Sequence, residues 1–158
     1  MRFFTAFAAL ICAAASLLPP TAGAAGEPRP TIPVPAGWTQ THTSDRDTTW
    51  KRDNEQLHVK RFAFTGSADD VIEIVVKGMK AEETEYTLPV VTPVTVCGGT
   101  LAARRAVFNA GAGADRVAAE MIAVTDGKVA YAATYLRLAS DPDRAEAHAA
   151  LLGLCITK

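Results

Sequence analysis

Four consecutive β-rich runs between residues 90 and 138 constrain this sequence most, because each run is separated from the next by a turn signal. Gly98-Gly99 and Asp126-Gly127 are typical of tight hairpin turns, since these residue types tolerate the positive φ angles that such turns need. A looser glycine-rich turn lies between them at residues 111–115. Antiparallel strands are therefore predicted over residues 90–97, 101–109, 116–125 and 128–138.

The N-terminal half of the sequence predicts three further strands, over residues 38–42, 48–52 and 57–64. If the turn between the last two takes residues 53–56, Trp50 lies opposite Val59. Strand alternation then places both side chains on one face of the sheet and leaves His58 and Lys60 on the other, solvated face.

Start signals indicate two helices. Ser67 is a helix cap and is followed by two aspartates that favour the positive end of the helix dipole, so a helix is predicted over residues 68–82. A second helix is expected to begin at Asp141-Pro142 and to end at Cys155. Runs of strands interrupted by two helices predict the α+β class, with an antiparallel sheet of about six to seven strands and both helices packed on it.

The first 36 residues are not expected to belong to this domain. Met1-Arg2 and the apolar run that follows are typical of a secretory signal peptide, 1–24, with cleavage after Ala24. Residues 25–36 contain four prolines and are expected to form a linker, which leaves a single domain at 37–158. The predicted location is periplasmic or secreted, with no transmembrane segment after signal cleavage.

Cys97 and Cys155 are the two cysteines that remain after cleavage, because Cys12 lies within the apolar run. An even number of cysteines in an oxidising compartment favours a disulfide between them. Two free thiols or a redox pair are the alternatives. Redox chemistry is not supported, since the sequence has neither a C-x-x-C spacing nor a cation beside Cys97.

The order of these features resembles a known family. The features are Gly37-Trp38 at the start of the domain, Trp50 in the second strand, the capped helix after Phe64, the stretch VCGG at residues 96–99, and a last helix ending in Cys155. They are similar to small secreted bacterial proteins with the PsbP-like fold, an αβα sandwich. The resemblance implies a protein without catalytic activity that binds a partner or stabilises an assembly, and it transfers no binding residues.

No catalytic site is predicted from the residues themselves. The three histidines, His42, His58 and His148, are not spaced as metal ligands, so neither a metal nor another cofactor is expected. Residues 41–45 contain the letters of a serine-hydrolase triad, but neighbours on a turn cannot take up the geometry that a triad needs. A G-x-S-x-G motif is absent from the sequence.

Charge restricts the class of partner. Lys and Arg number 16 against 17 Asp and Glu, a formal net charge of −1, which gives no reason to expect a nucleic acid partner. Alternation in the strand places Arg104 and Arg105 on opposite faces of the sheet. On a face covered by a helix, Arg61 and Arg105 would need acidic partners.

The function predicted from these observations is an exported, non-catalytic domain that binds another envelope protein or stabilises an assembly. The sequence does not indicate its oligomeric state. The alternative is a periplasmic carrier or sensor of a small apolar or anionic ligand, held on an aromatic face between the first helix and the sheet. A small hydrolase is the least favoured class. The candidate ligand-binding residues are Trp38, Tyr131, Tyr135 and Arg104.

Overall fold

The computed structural model of the protein describes residues 28–82 and 85–157, so the predicted signal peptide lies outside the described residues. The strands are β1 (Arg29–Thr31), β2 (Thr39–Thr43), β3 (Asp47–Arg52), β4 (Glu55–Ala63), β5 (Val90–Val96), β6 (Leu101–Ala110), β7 (Val117–Thr125), β8 (Val129–Leu138) and β9 (Cys155–Thr157). The helices are α1 (Ala68–Glu82) and α2 (Ala145–Leu152).

Seven of the strands form one antiparallel sheet in the order β2-β3-β4-β8-β7-β6-β5. Strands β2 to β4 form one meander and β5 to β8 form another, and the pairing of β4 with β8 joins the two. The predicted α+β class, with an antiparallel sheet and two helices, is confirmed. Strands β1 and β9 form a separate two-stranded sheet.

The two faces of the sheet carry separate cores. On the α1 face, Val71, Ile72 and Val75 pack on strands that present many alanines, among them Ala106, Ala119 and Ala132. Small side chains on the strands let the helix approach the sheet closely. On the α2 face, the β1–β9 sheet and α2 together cover a second core. Its largest buried members include Trp38, Leu57, Ile122, Tyr135 and Leu151.

The start of α1 has the predicted cap. The backbone N–H of Asp70 donates to Oγ of Ser67 over 3.2 Å, and the backbone N–H of Ser67 donates to Oδ2 of Asp70 over 2.7 Å. This reciprocal pair satisfies donors that the first turn of a helix leaves without partners. The hydrogen bonds from Ser67 hold the pKa of Asp70 below its usual value.

Residues 28–36, predicted as a linker, include β1 and take part in the fold. Thr31 pairs with Cys155 in the β1–β9 sheet, and Ile32 and Val34 pack against the α2-face core. The prolines in this segment remove backbone donors, but a three-residue strand needs few of them.

The turn between β3 and β4 is shorter than predicted. Asp53 has a φ of 53° and leads a two-residue turn, so Trp50 pairs with Leu57 rather than with Val59. Since the register differs by two residues and side chains alternate with a period of two, Trp50 keeps its predicted face.

The solvated face predicted for His58 and Lys60 is wrong, because both side chains are buried. His58 is only 6% exposed. Burial lowers the pKa of His58 to about 4, although the charge of Asp47 works in the opposite direction. The ring is therefore neutral at pH 7.

The last helix is also shorter than predicted. It begins at Ala145 rather than near Asp141, and no side chain caps it. The side chain of Asp143 is bonded to Arg137 and His148 instead. Cys155 lies in β9 and not at the end of the helix.

Candidate binding surface

The edge of the sheet formed by β5 and β6 is left open on the α2 face. Val90 pairs with Val107 and Thr92 pairs with Arg105. Arg105 in turn pairs with Ile122, whose side chain lies in the core beneath α2. Val90, Thr92, Arg105 and Val107 therefore share the α2 face, and we call these four residues the β5–β6 platform. Val90 and Thr92 are exposed, with Val90 at 67%.

Two leucines are exposed as well. Leu88 precedes β5 and is 77% exposed, and Leu152 is exposed at the end of α2. Together with Val90 and Val107, they make four of the five large hydrophobic side chains that are exposed in the described residues. The fifth, Ile74, lies on α1. Clusters of exposed apolar side chains are typical of interaction sites.

Arg105 is held in orientation by a buried carboxylate on the same face of the neighbouring strand β7. Its Nε donates to Oε1 of Glu120 over 2.6 Å, and Glu120 is only 4% exposed. The hydrogen bond that Arg105 donates to Glu120 raises the pKa of its guanidinium. Within the described residues, the two terminal nitrogens of this guanidinium make no hydrogen bond. The sequence predicted an acidic partner for Arg105 on a helix-covered face. Arg105 pairs with Glu120, although its own side chain is 38% exposed at the open edge.

His148 of α2 lies between two carboxylates. Its Nδ1 faces the second oxygen of Glu120, and its Nε2 lies 2.7 Å from Oδ1 of Asp143. The cationic form of the ring donates to both. Partial burial of Asp143 favours its neutral form, but the hydrogen bonds and charges of His148 and Arg137 outweigh that effect and lower its pKa.

A second set of ion pairs fastens the first turn of α2 to the sheet. Arg144 donates from Nε to Oε2 of Glu55 over 2.6 Å and reaches Asp53 over 3.4 Å. Arg52 on β3 pairs with Glu146 over 3.3 Å. The buried carboxylates Glu55 and Glu120 are thus each paired with an arginine. This arrangement is typical of structural ion pairs and leaves neither carboxylate unpaired to act as a general base.

The four predicted ligand-binding residues do not form one site. Trp38 and Tyr135 meet edge to face, with ring centroids 6.2 Å apart, and Tyr131 lies on the same face of the sheet. All three are buried under the α2 face and not, as predicted, between the first helix and the sheet. Arg104 lies on the α1 face, where its Nε donates to Asp69 over 2.8 Å. Ligand binding by these residues stays a prediction.

The hydroxyl of Tyr135 lies close to the carboxylate of Glu55. Burial is the main cause that raises the pKa of this phenol, and the negative charge of Glu55 adds to it. Tyr135 therefore stays protonated at physiological pH.

Two concave regions lie near these elements. A cavity of about 340 Å³ opens beyond the platform, where Asn109 follows Val107 by two residues on β6. It is lined by Glu85, Tyr86, Thr87, Asn109, Gly111 and Arg116. A groove of about 240 Å³ lies between β1 and the β2–β3 hairpin, with Trp50 among its lining residues.

The disulfide predicted between Cys97 and Cys155 is present. It joins the turn after β5 to the start of β9. That turn takes four residues rather than two, and Cys97, Gly98 and Gly99 all have positive φ. The disulfide therefore links the open β5–β6 edge to β9, one of the elements that cover the core on the α2 face.

Within residues 28–82 and 85–157, no group of three or more His, Cys, Asp or Glu side chains is arranged to hold a metal ion. In the same part of the chain, neither helix has the length and apolar character needed to cross a membrane.

No protein-family model matches the sequence, and no curated protein matches it either. Among solved structures, the chain is similar to LpqN, described as involved in cell envelope biogenesis of Mycobacterium tuberculosis. The TM-score is 0.59 and the identity 14%, over 89% of this chain and 90% of LpqN. A protein from Bacteroides thetaiotaomicron VPI-5482 matches with a TM-score of 0.53 and 10% identity, over 82% of this chain.

The chain spans 45% of the length of the Bacteroides protein. At these identities, the likenesses show the fold alone. The narrower PsbP-like assignment made from the sequence stays a prediction.

Glu120 was not among the residues selected from the sequence, although its position in an apolar strand indicates a buried charge that needs a partner. It is the one charged residue in the otherwise apolar or small stretch VAAEMIAV of β7. A lone carboxylate inside a buried strand has to find a cationic partner, because burying it unpaired costs several kcal/mol. Which cation it meets depends on strand pairing and helix placement.

Proposed function

We propose that this chain is an exported, non-catalytic domain of a bacterial envelope and that it binds another protein through the β5–β6 platform. The observation that carries the proposal is that Val90 and Val107 are exposed cross-strand partners at one edge of the sheet, with exposed Leu88 two residues before Val90 in the chain. Removing such surface from water contributes about 25 cal/mol per Å² on binding, less the entropic cost of association.

Export is supported by the disulfide and by the N-terminal sequence pattern. Disulfides persist in oxidising compartments and are rare in the cytosol. LpqN, which has a similar fold, is described as acting in cell envelope biogenesis. A non-catalytic role is supported by the pairing of the buried carboxylates Glu55 and Glu120 with arginines.

The position of Pro93 supports docking on the face of the sheet rather than on its edge. Pro93 lies in the middle of β5, which is the last strand of the sheet on this side. Proline has no backbone N–H, so it interrupts the row of donors that an added strand would need. A partner therefore gains more from the side chains of the platform than from the backbone of β5.

Site-specific photo-crosslinking in the native host tests this proposal. A photoreactive phenylalanine derivative replaces Val90 or Val107 on the proposed surface, and Ile74 on α1 as a matched exposed control. We expect Val90 and Val107 to give the same discrete crosslinked protein and Ile74 not to give it. The proposal fails if neither platform position yields a discrete product, or if Ile74 yields the same one.

A further inference from the structure

We propose that the β5–β6 platform recognises a carboxylate that lies next to an apolar side chain, and that Arg105 is the residue that binds this carboxylate. This inference rests on the proposed function, because it names the chemistry of the partner at the same surface. It assigns a specific role to the one charged residue of the platform.

The guanidinium of Arg105 is fixed in orientation and partly exposed. Its Nε is occupied by Glu120 at 2.6 Å, so the planar guanidinium is fixed in orientation. The two terminal NH₂ groups make no hydrogen bond within the described residues, and the side chain is 38% exposed. A guanidinium that is held at Nε presents its terminal donors as a fork, which matches the two oxygens of a carboxylate.

The side chains around Arg105 can exclude water from its guanidinium once a partner covers them. Val107 lies two residues along β6 on the same face, and Thr92 is the cross-strand partner of Arg105 on β5. Val90 completes the apolar side of the platform. When a partner covers these side chains, water leaves the surroundings of the guanidinium. The hydrogen bonds to a carboxylate then strengthen, because the local dielectric constant falls.

The charged groups near Arg105 leave it available to a partner's carboxylate. Glu120 is buried and already shared between Arg105 and His148, so it does not compete for a partner's charge. Asp143, whose charge also acts on Arg105, is bonded to Arg137 and His148. Arg105 is the one charged side chain among the four platform residues, and a partner's carboxylate is complementary to it.

The same carboxylate can come from an aspartate or glutamate side chain or from the C-terminus of a chain. Three probe peptides separate these sources. The first is the acetylated amide Val-Leu-Asp-Leu-Val, the second is the same amide with Asn in place of Asp, and the third is acetylated Val-Leu-Asn-Leu-Val with a free C-terminal carboxylate.

The test is a titration of the ¹⁵N-labelled protein with each probe, followed by NMR. We expect saturable shifts at the amides of Val90, Arg105 and Val107 with at least one carboxylate-bearing probe. Binding of the uncharged Asn amide should be about tenfold weaker, as expected for loss of a charge-assisted pair. The carboxylate-bearing probe that binds more tightly identifies the source.

Adjacent arginines on opposite faces supply the control. Arg105→Gln should remove the preference for the carboxylate, and Arg104→Gln should keep it, because Arg104 is bonded to Asp69 on the other face. Arg105→Lys keeps a cation beside Glu120 and removes the fork. Arg105→Lys should also lose most of the preference for the carboxylate. It replaces Arg105→Gln as the test variant if Arg105→Gln does not fold.

The inference is overturned if no probe shifts the platform amides, if the Asn amide binds as tightly as both carboxylates, or if Arg105→Lys and Arg105→Gln keep the preference. Its failure is distinguishable from failure of the proposed function. If the Val90 crosslink persists undiminished in Arg105→Gln, protein binding stands and carboxylate recognition by Arg105 does not.

Discussion

The Nδ1–H of His148 donates to the carboxylate of Glu120, and this bond joins α2 to an inner strand of the sheet. Helix α2 has only eight residues, too few for a stable isolated helix, so its position depends on tertiary contacts. His148 and Arg144 supply polar contacts, and Ala147 and Leu151 supply the apolar ones. The same carboxylate orients Arg105, so α2 and the β5–β6 platform share one anchor.

Glu120→Gln should destabilise the protein by about 3 kcal/mol, because it leaves Arg105 and His148 without the buried charge that pairs with them. Urea unfolding followed by circular dichroism measures this. The matched control is Glu146→Gln, since the ion pair of Glu146 with Arg52 is exposed and should cost less than about 1 kcal/mol. Equal losses of unfolding free energy in the two variants would show that burial of the Glu120 ion pair does not increase its contribution to stability.

Replacing both Cys97 and Cys155 by serine should lower the free energy of unfolding by about 4 kcal/mol. The disulfide closes a loop with a sequence separation of 58, and the unfolded chain regains the entropy of that loop. Urea unfolding of both forms gives the difference. Alkylation of the non-reduced wild-type protein should label neither cysteine, and stoichiometric labelling of both would contradict the disulfide.

His58 should make the protein less stable in acid. Its folded-state pKa of about 4 lies below the ordinary 6.5, so between these pH values the unfolded chain binds the proton more readily. Stability is fully present above pH 6.5 and falls by about 3 kcal/mol as the pH drops to 4. Urea unfolding at pH 7 and pH 4.5 measures the loss. His58→Gln should reduce it.

Val90→Asp should abolish binding without affecting the fold. The Val90 side chain is largely exposed, so the free energy of unfolding should change by no more than about 0.5 kcal/mol. The crosslink from Val107 should disappear, because a carboxylate near Arg105 competes for its guanidinium and repels an acidic partner. Ile74→Asp is the control and should leave the crosslink intact. A Val107 crosslink that survives Val90→Asp would exclude the platform as the docking surface.

Ser67→Ala should lower the free energy of unfolding by about 1 kcal/mol, because it removes the side-chain acceptor for the Asp70 amide at the start of α1. Thermal or urea unfolding measures the loss. Ser140→Ala is a suitable control, since Ser140 is exposed and precedes α2 without capping it. A cost at Ser67 no larger than at Ser140 would mean that the cap does not stabilise the helix.

Much of the secondary structure was predictable because its signals are local. Strand β8 was predicted over residues 128–138 and runs from Val129 to Leu138, and α1 was predicted over its full length. The face of Trp50 was also correct although its register was not, because a two-residue slip preserves side-chain alternation. The disulfide followed from cysteine count and compartment.

The placement of charges was less predictable. His58 and Lys60 alternate with apolar residues as solvated side chains do, yet both are buried. The N-terminal prolines have the composition of a linker, yet Thr31 pairs with Cys155 far along the chain. In each case the outcome depends on which distant segment covers the residue, and local pattern contains no information about that.

The sequence by itself determined the α+β class, the strands, the capped helix and the cysteine pair, because alternation, capping and turn chemistry act over a few neighbouring residues. Only the tertiary structure decided that Arg105 and Glu120 meet, that α2 leaves β5 and β6 open on one face, and that Arg104 faces away from the aromatic residues. Those relations depend on strand order and helix position, which residues far apart in the chain set together.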